Sequence, residues 1–265
     1  MVDNITGNDL ERTSIIGSQL NKISARSVII GFPGAGLVGS ITSRTISVEL
    51  DLKVMGFIRS PLIPPQATFF DGILSYPYRI YSDTEFDLAV IVGETPLSME
   101  ANFNIAVAIM EWAEKSKTIE EIIVVDGFAS NIQEKDPSNI YLVAEPDILG
   151  SNKFKKISNI IALSTKNHDL ISGYIGGVAG VILNESIISS LDGFALLSDC
   201  PDPDVVNVKG AASTINVLNK YLDIDVDNSA LLKEAETISS NLEEMATKTR
   251  NVIQGSDKKQ NKFYS

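Results

Sequence analysis

Along this chain, apolar runs alternate with segments whose apolar positions recur every three or four residues. Residues 27–32 (SVIIGF) have the unbroken hydrophobicity of a strand buried on both faces, and helix spacing follows a glycine-rich turn as far as about residue 49. Residues 52–58 read as a second strand, so the three segments predict a β-α-β unit. Pro61, Pro64 and Pro65 impose a loop, and the alternation over residues 69–81 predicts a hairpin turning near Tyr76-Pro77. Residues 87–92 (DLAVIV) and 121–125 (EIIVV) are apolar strands of the parallel-sheet kind. Between them residues 98–115 carry a helix period, with Ser98 as N-cap and Glu100 in the first turn, where a carboxylate meets the positive helix end. Residues 140–143 and 160–163 are short strand candidates. Residues 176–189 are helical in pattern despite their glycines, residues 193–197 are strand-like, and residues 207–221 form a further helix. Such alternation predicts an α/β fold: a three-layer α/β/α sandwich around a mainly parallel sheet, occupying residues 1–225.

The C-terminal part has a different pattern. Leu231, Ala235, Ile238, Leu242, Met245, Thr249 and Val252 are spaced four, three, four, three, which is an a/d seam with charged residues off it. Asn228 and Ser229 cap its start and Gly255 supplies a stop, so residues 226–255 are predicted as a C-terminal helix. Ala235 and Thr249 weaken the seam, which favours docking on the body or a modest bundle. Residues 256–262 (SDKKQNK) have nothing to pack, and residues 256–265 are expected to form a flexible tail that spans about 33 Å when extended.

Composition narrows the choice of partners. The chain has 265 residues, 44% hydrophobic and 21% charged, enough for a substantial core. A net charge of −12 argues against nucleic acid or an anionic membrane as the main partner. Asp3, Asp9 and Glu11 interrupt any N-terminal signal, and residues 170–183, the longest uncharged apolar run, are too short to span a bilayer and contain four glycines. Cys200 is the one cysteine, so no intrachain disulfide or cysteine-based zinc cluster can form. The expected location is cytoplasmic.

Candidate chemistry is sparse. His168, the one histidine, lies in a polar stretch with no partner nearby in sequence and reads as a surface residue. Cys200, before Pro201-Asp202-Pro203, reads as structural rather than as a nucleophile. Trp112 falls within the helix at 98–115 and is assigned to packing. Glu94 and Asp126 stand at predicted C-terminal strand ends, where α/β proteins place ligands, and acid–base work and simple turn formation both remain open for them. Neither a P-loop, a G-x-S-x-G elbow nor a metal-ligand cluster is present, and no cofactor or metal is expected.

Residues 31–39 (GFPGAGLVG) contain G-x-G-x-x-G at Gly34, Gly36 and Gly39, between a predicted strand and a predicted helix. That is the setting of a dinucleotide-binding turn, in which bare N–H groups meet a pyrophosphate. The second strand, however, ends at Ile58-Arg59 without the acidic residue that holds a ribose. Tight turn geometry and close helix–sheet packing explain the glycines equally well, so a nucleotide- or nucleoside-binding enzyme stands as the alternative reading.

With the downstream Ser60-Pro61 and Pro64-Pro65 and the hairpin after them, this segment resembles the proteasome assembly chaperone family in its archaeal branch, over about residues 27–221. The final Phe263-Tyr264-Ser265 resembles the HbYX motif of proteasome activators and assembly factors: a bulky apolar residue, a tyrosine and a terminal carboxylate. The resemblance implies a fold like that of nucleoside phosphorylases, a non-enzymatic role, a homo-oligomer, and docking on proteasome α-subunits or the α-ring. Phe263, Tyr264 and Ser265 carry over as partner-binding residues. Gly31, Gly34, Gly36 and Gly39 carry over as a fold marker and possible ligand site.

Overall fold

A computed structural model describes residues 12–70, 72–83, 85–129, 139–155, 157, 160–162, 173–189 and 191–233. The strands are β1 (Ser14–Ile16), β2 (Ser27–Gly31), β3 (Lys53–Arg59), β4 (Thr68–Phe70), β5 (Ile73–Ser75), β6 (Tyr78–Asp83), β7 (Leu88–Gly93), β8 (Glu121–Phe128), β9 (Ile140–Ala144), β10 (Ile160–Ala162) and β11 (Asp192–Asp199). The helices are α1 (Val38–Glu49), α2 (Met99–Lys115), the short α3 (Pro146–Leu149) and α4 (Asn152–Lys155), α5 (Gly177–Ile188) and α6 (Val208–Leu222).

Nine strands form one sheet in the order β1-β3-β6-β7-β2-β8-β11-β9-β10. Its centre, β7-β2-β8-β11, is parallel, while β1, β3 and β6 on one flank and β9 on the other pair antiparallel. Central strands alternate between two cores. Val28, Ile30, Ile122 and Val124 face a layer built on α2 and α5; Ile29, Ile123 and Val125 face Ile46 of α1 and Ile215 and Leu218 of α6. The result is the three-layer sandwich.

Local chemistry sets the helix ends, as the sequence predicts for Ser98 and Glu100. Ser98 caps α2, its hydroxyl accepting from the Ala101 N–H at 3.2 Å, with Glu100 in the first turn and Lys115 in the last. Asn207 caps α6 by accepting from the Gly210 N–H at 2.9 Å, and Asp223 closes it in the left-handed region.

Two sequence expectations change. β3 runs in the same direction as β2 but does not pair with it, because β6 and β7 lie between them. The hairpin turns between β4 and β5, where Gly72 takes φ +78°, and not at Tyr76-Pro77, which marks the break before β6. A glycine relaxes into positive φ without the steric cost that any side chain at that position carries.

Beyond α6 the chain turns back. Val226 is buried, and its N–H and C=O both pair with the Asn219 carboxamide; Asn228 donates to the Ala212 carbonyl and to Asn216 Oδ1, both at 2.9 Å. Residues 229–233 are helical, and the rest of the predicted C-terminal helix lies outside the described residues. No helix among the described residues is long and apolar enough to cross a membrane.

Candidate functional site

Strands β2, β3, β7, β8 and β11 all point their carboxyl ends at one edge of the sheet. There the chain leaving β2 crosses to the face of α1, whereas the chain leaving β7 crosses to the face of α2. Diverging loops at a parallel sheet's carboxyl edge leave a crevice where α/β proteins commonly bind ligands. Here it is a cleft of about 330 Å³. Its walls are Phe32–Ala35 after β2, Pro96, Leu97 and Asn102 around the start of α2, Val124–Gly127 of β8, and Gly176–Ala179 at the start of α5.

Asp126 is the one titratable group in the lining. Burial pushes its carboxyl up to about 7, and the Gly127 N–H, donating to Oδ1 at 2.8 Å, opposes that rise. No side chain caps α5, whose N-cap is Gly176, and open space lies where side chains would stand at Gly176 and Gly177.

The glycine turn is occupied by the protein itself. A Cβ at Gly34 would run into the Asp126 carboxylate, and one at Gly31 would run into the Gly39 carbonyl. Gly36 takes φ +61° and sits against Cys200 Sγ and Asn207 Cβ. Its N–H donates to the Pro203 carbonyl at 2.8 Å, the Leu37 N–H donates to the Gly34 carbonyl at 3.1 Å, and the Asn207 N–H donates to the Gly36 carbonyl at 2.8 Å. Two N–H groups of the turn are thus already engaged, and a carboxylate stands where a pyrophosphate would be repelled. Of the four signature glycines only Gly34 lines the cleft; Gly31, Gly36 and Gly39 bring α1 and the 200–207 loop against β2.

The two strand-end carboxylates part company. Glu94, its side chain 9% exposed, pairs with Arg79 of β6 and with Arg44 of α1 at 3.5 Å, and does not line the cleft. Cys200 is buried, donates to the Asp202 carbonyl at 3.3 Å, and burial raises its thiol, so it is not poised as a nucleophile. Trp112 packs against the core. His168, Phe263, Tyr264 and Ser265 lie outside the described residues. Sequence reasoning missed Asn102 and the Gly176-Gly177 pair as cleft walls; adjacent glycines before an apolar helix were the available signal.

The same edge carries large exposed side chains. Met99 and Phe103 on α2, Phe69 and Leu74 on the β4–β5 hairpin, and Tyr174 before α5 are 89, 55, 72, 76 and 93% exposed. Exposed apolar side chains gathered at one end of a domain are a signature of protein contact.

The fold is shared with solved structures. PbaA of Pyrococcus furiosus, described as an archaeal homolog of proteasome-assembly chaperone, superposes with a TM-score of 0.75 at 23% identity, covering 96% of this chain and 100% of that one. PbaB of the same organism, described as an archaeal proteasome activator, gives 0.75 at 21% identity over 89% of this chain and 99% of that one. An uncharacterized protein of Methanocaldococcus jannaschii is 29% identical over 228 residues, 83% of this chain and 84% of the relative. Residues 28–246 match the PAC2 family, from the first buried strand through the whole sandwich, and the chain belongs to that family.

Proposed function

We propose that this protein is a proteasome-binding factor that works without ATP, docking on the α-ring through Phe263, Tyr264 and the Ser265 carboxylate to assist ring assembly or to cap the assembled particle. The observation that carries this reading is the family membership over residues 28–246, together with a fold shared with PbaA and PbaB. The tail chemistry supports it. Phe263 fills an apolar slot, Tyr264 adds ring area with a hydroxyl to be partnered, and the terminal carboxylate pairs with a lysine of the receiving pocket. The exposed apolar side chains at the carboxyl edge add a surface fit for protein contact.

Co-sedimentation with a purified α-ring tests the proposal. Deleting residues 263–265 is expected to abolish binding while oligomer size stays constant, and Tyr264→Ala to remove most of it. Adding one residue after Ser265 moves the carboxylate and is expected to weaken binding severely. Undiminished association of the truncated chain would overturn the tail as the anchor.

A further inference from the structure

The carboxyl-edge cleft has features that docking of a C-terminal tail does not require. Its volume of about 330 Å³ lies in the range of small-ligand sites. Ile30, Phe32, Leu97 and Val124 give it an apolar floor and wall. The Phe32 ring is held in place by stacking on Tyr78, with centroids 6.0 Å apart, and Tyr78 is in turn fixed by its hydroxyl on Thr95 at 2.6 Å. One carboxyl, Asp126, stands in the lining, and no lysine, arginine or histidine among the lining residues offsets it. Among the described residues, Asp126 accepts from its own neighbour Gly127 and pairs with no other. Around the mouth, Gly34, Gly176 and Gly177 present backbone without side chains, so access from solvent is open.

We propose that this cleft binds a small organic amine, with the ammonium on Asp126 and an apolar body against Phe32 and Leu97. Charge decides the class. Phosphates, nucleotides and carboxylic acids would bring a second negative charge beside a carboxylate that no cation among the described lining residues offsets, whereas an ammonium supplies a counter-charge and its N–H donors. The Asn102 carboxamide and the first N–H groups of α5 are at hand for an acceptor on the same molecule. The amine proposal uses no residue of the tail, so it stands or falls apart from the docking proposal.

The test is a titration of the full-length protein with phenethylamine, followed by amide shifts of Gly34, Gly127 and Gly177 and by calorimetry. Phenethyl alcohol, hydrocinnamate and inorganic phosphate are the neutral and anionic controls. For so small a probe, saturation near about 1 mM is expected, with the anions at least about tenfold weaker. Affinity for the amine is expected to fall about tenfold per pH unit below about pH 7, where Asp126 takes up its proton. Asp126→Asn should weaken the amine about tenfold or more and remove that pH dependence. Gly176→Ile, at φ −101° with open space at its Cβ, keeps Asp126 and should block entry. The proposal is overturned if the anions match the amine, if no shift saturates, or if both folded variants bind as the unaltered chain does.

Discussion

At the scale of single residues, Asp126 makes the sharpest prediction. Its carboxyl titrates at about 7 in the folded protein and near 4 in the unfolded chain, so the native state holds the proton more tightly across that interval. The contribution is therefore complete below about pH 4 and fades as pH rises through 7, and the protein should lose stability over that window instead of gaining it. Asp126→Asn is expected to match the unaltered chain at pH 4 and to exceed it at pH 8 by on the order of 2–4 kcal/mol in urea unfolding. Glu94 is held by cations instead. Its side chain, 9% exposed, pairs with Arg79 and Arg44, so Glu94→Ala removes both ion pairs and should cost about 2 kcal/mol, read as a lower urea midpoint. In the sequence these two carboxylates are indistinguishable, each preceding or following a glycine at a strand end. What separates them is the arrival of Arg79 and Arg44 from other elements, and local pattern carries no record of that.

At the scale of elements, identity was legible and neighbourhood was not. The apolar runs at 87–92 and 121–125 became central strands because a strand buried on both faces is apolar along nearly all of its length. Ser98 announced a helix start because its side chain satisfies an N–H group only three residues away. The spacing of β2, α1 and β3 fixed direction but left open how many strands the crossover spans, and β6 and β7 fill that gap. The glycine turn shows the same division: its glycines were visible, while the 200–207 loop they receive lies far along the chain. Asn207 joins these regions, donating to the Asp199 carbonyl at 3.0 Å while capping α6. Asn207→Ala is expected to cost about 2 kcal/mol by loss of both bonds. Gly36→Ala should cost at least as much, because it adds a Cβ at φ +61° against Cys200 and Asn207; both are checked by thermal unfolding.

At the scale of the whole molecule, the proposed anchor is too small to act alone. Three residues bury little area, and association carries an entropic cost that a single such contact offsets poorly. Several tails presented by one oligomer convert later contacts into intramolecular ones, raising avidity by about 10²–10⁴ with no new chemistry. In the proposed docking, the exposed side chains Met99, Phe69, Leu74 and Tyr174 at the carboxyl edge are the candidate second contact. These contributions separate experimentally. Fusing residues 256–265 to a monomeric carrier keeps the proposed anchor and discards both the proposed oligomer and the edge, so affinity for the α-ring should drop at least about a hundredfold relative to the full chain. Fusing the same segment to a carrier of matched stoichiometry restores multiplicity alone. Recovery to the full-chain value assigns binding to the number of tails, incomplete recovery assigns the remainder to the apolar edge, and equal affinity for the monomeric fusion would show that neither multiplicity nor edge contributes.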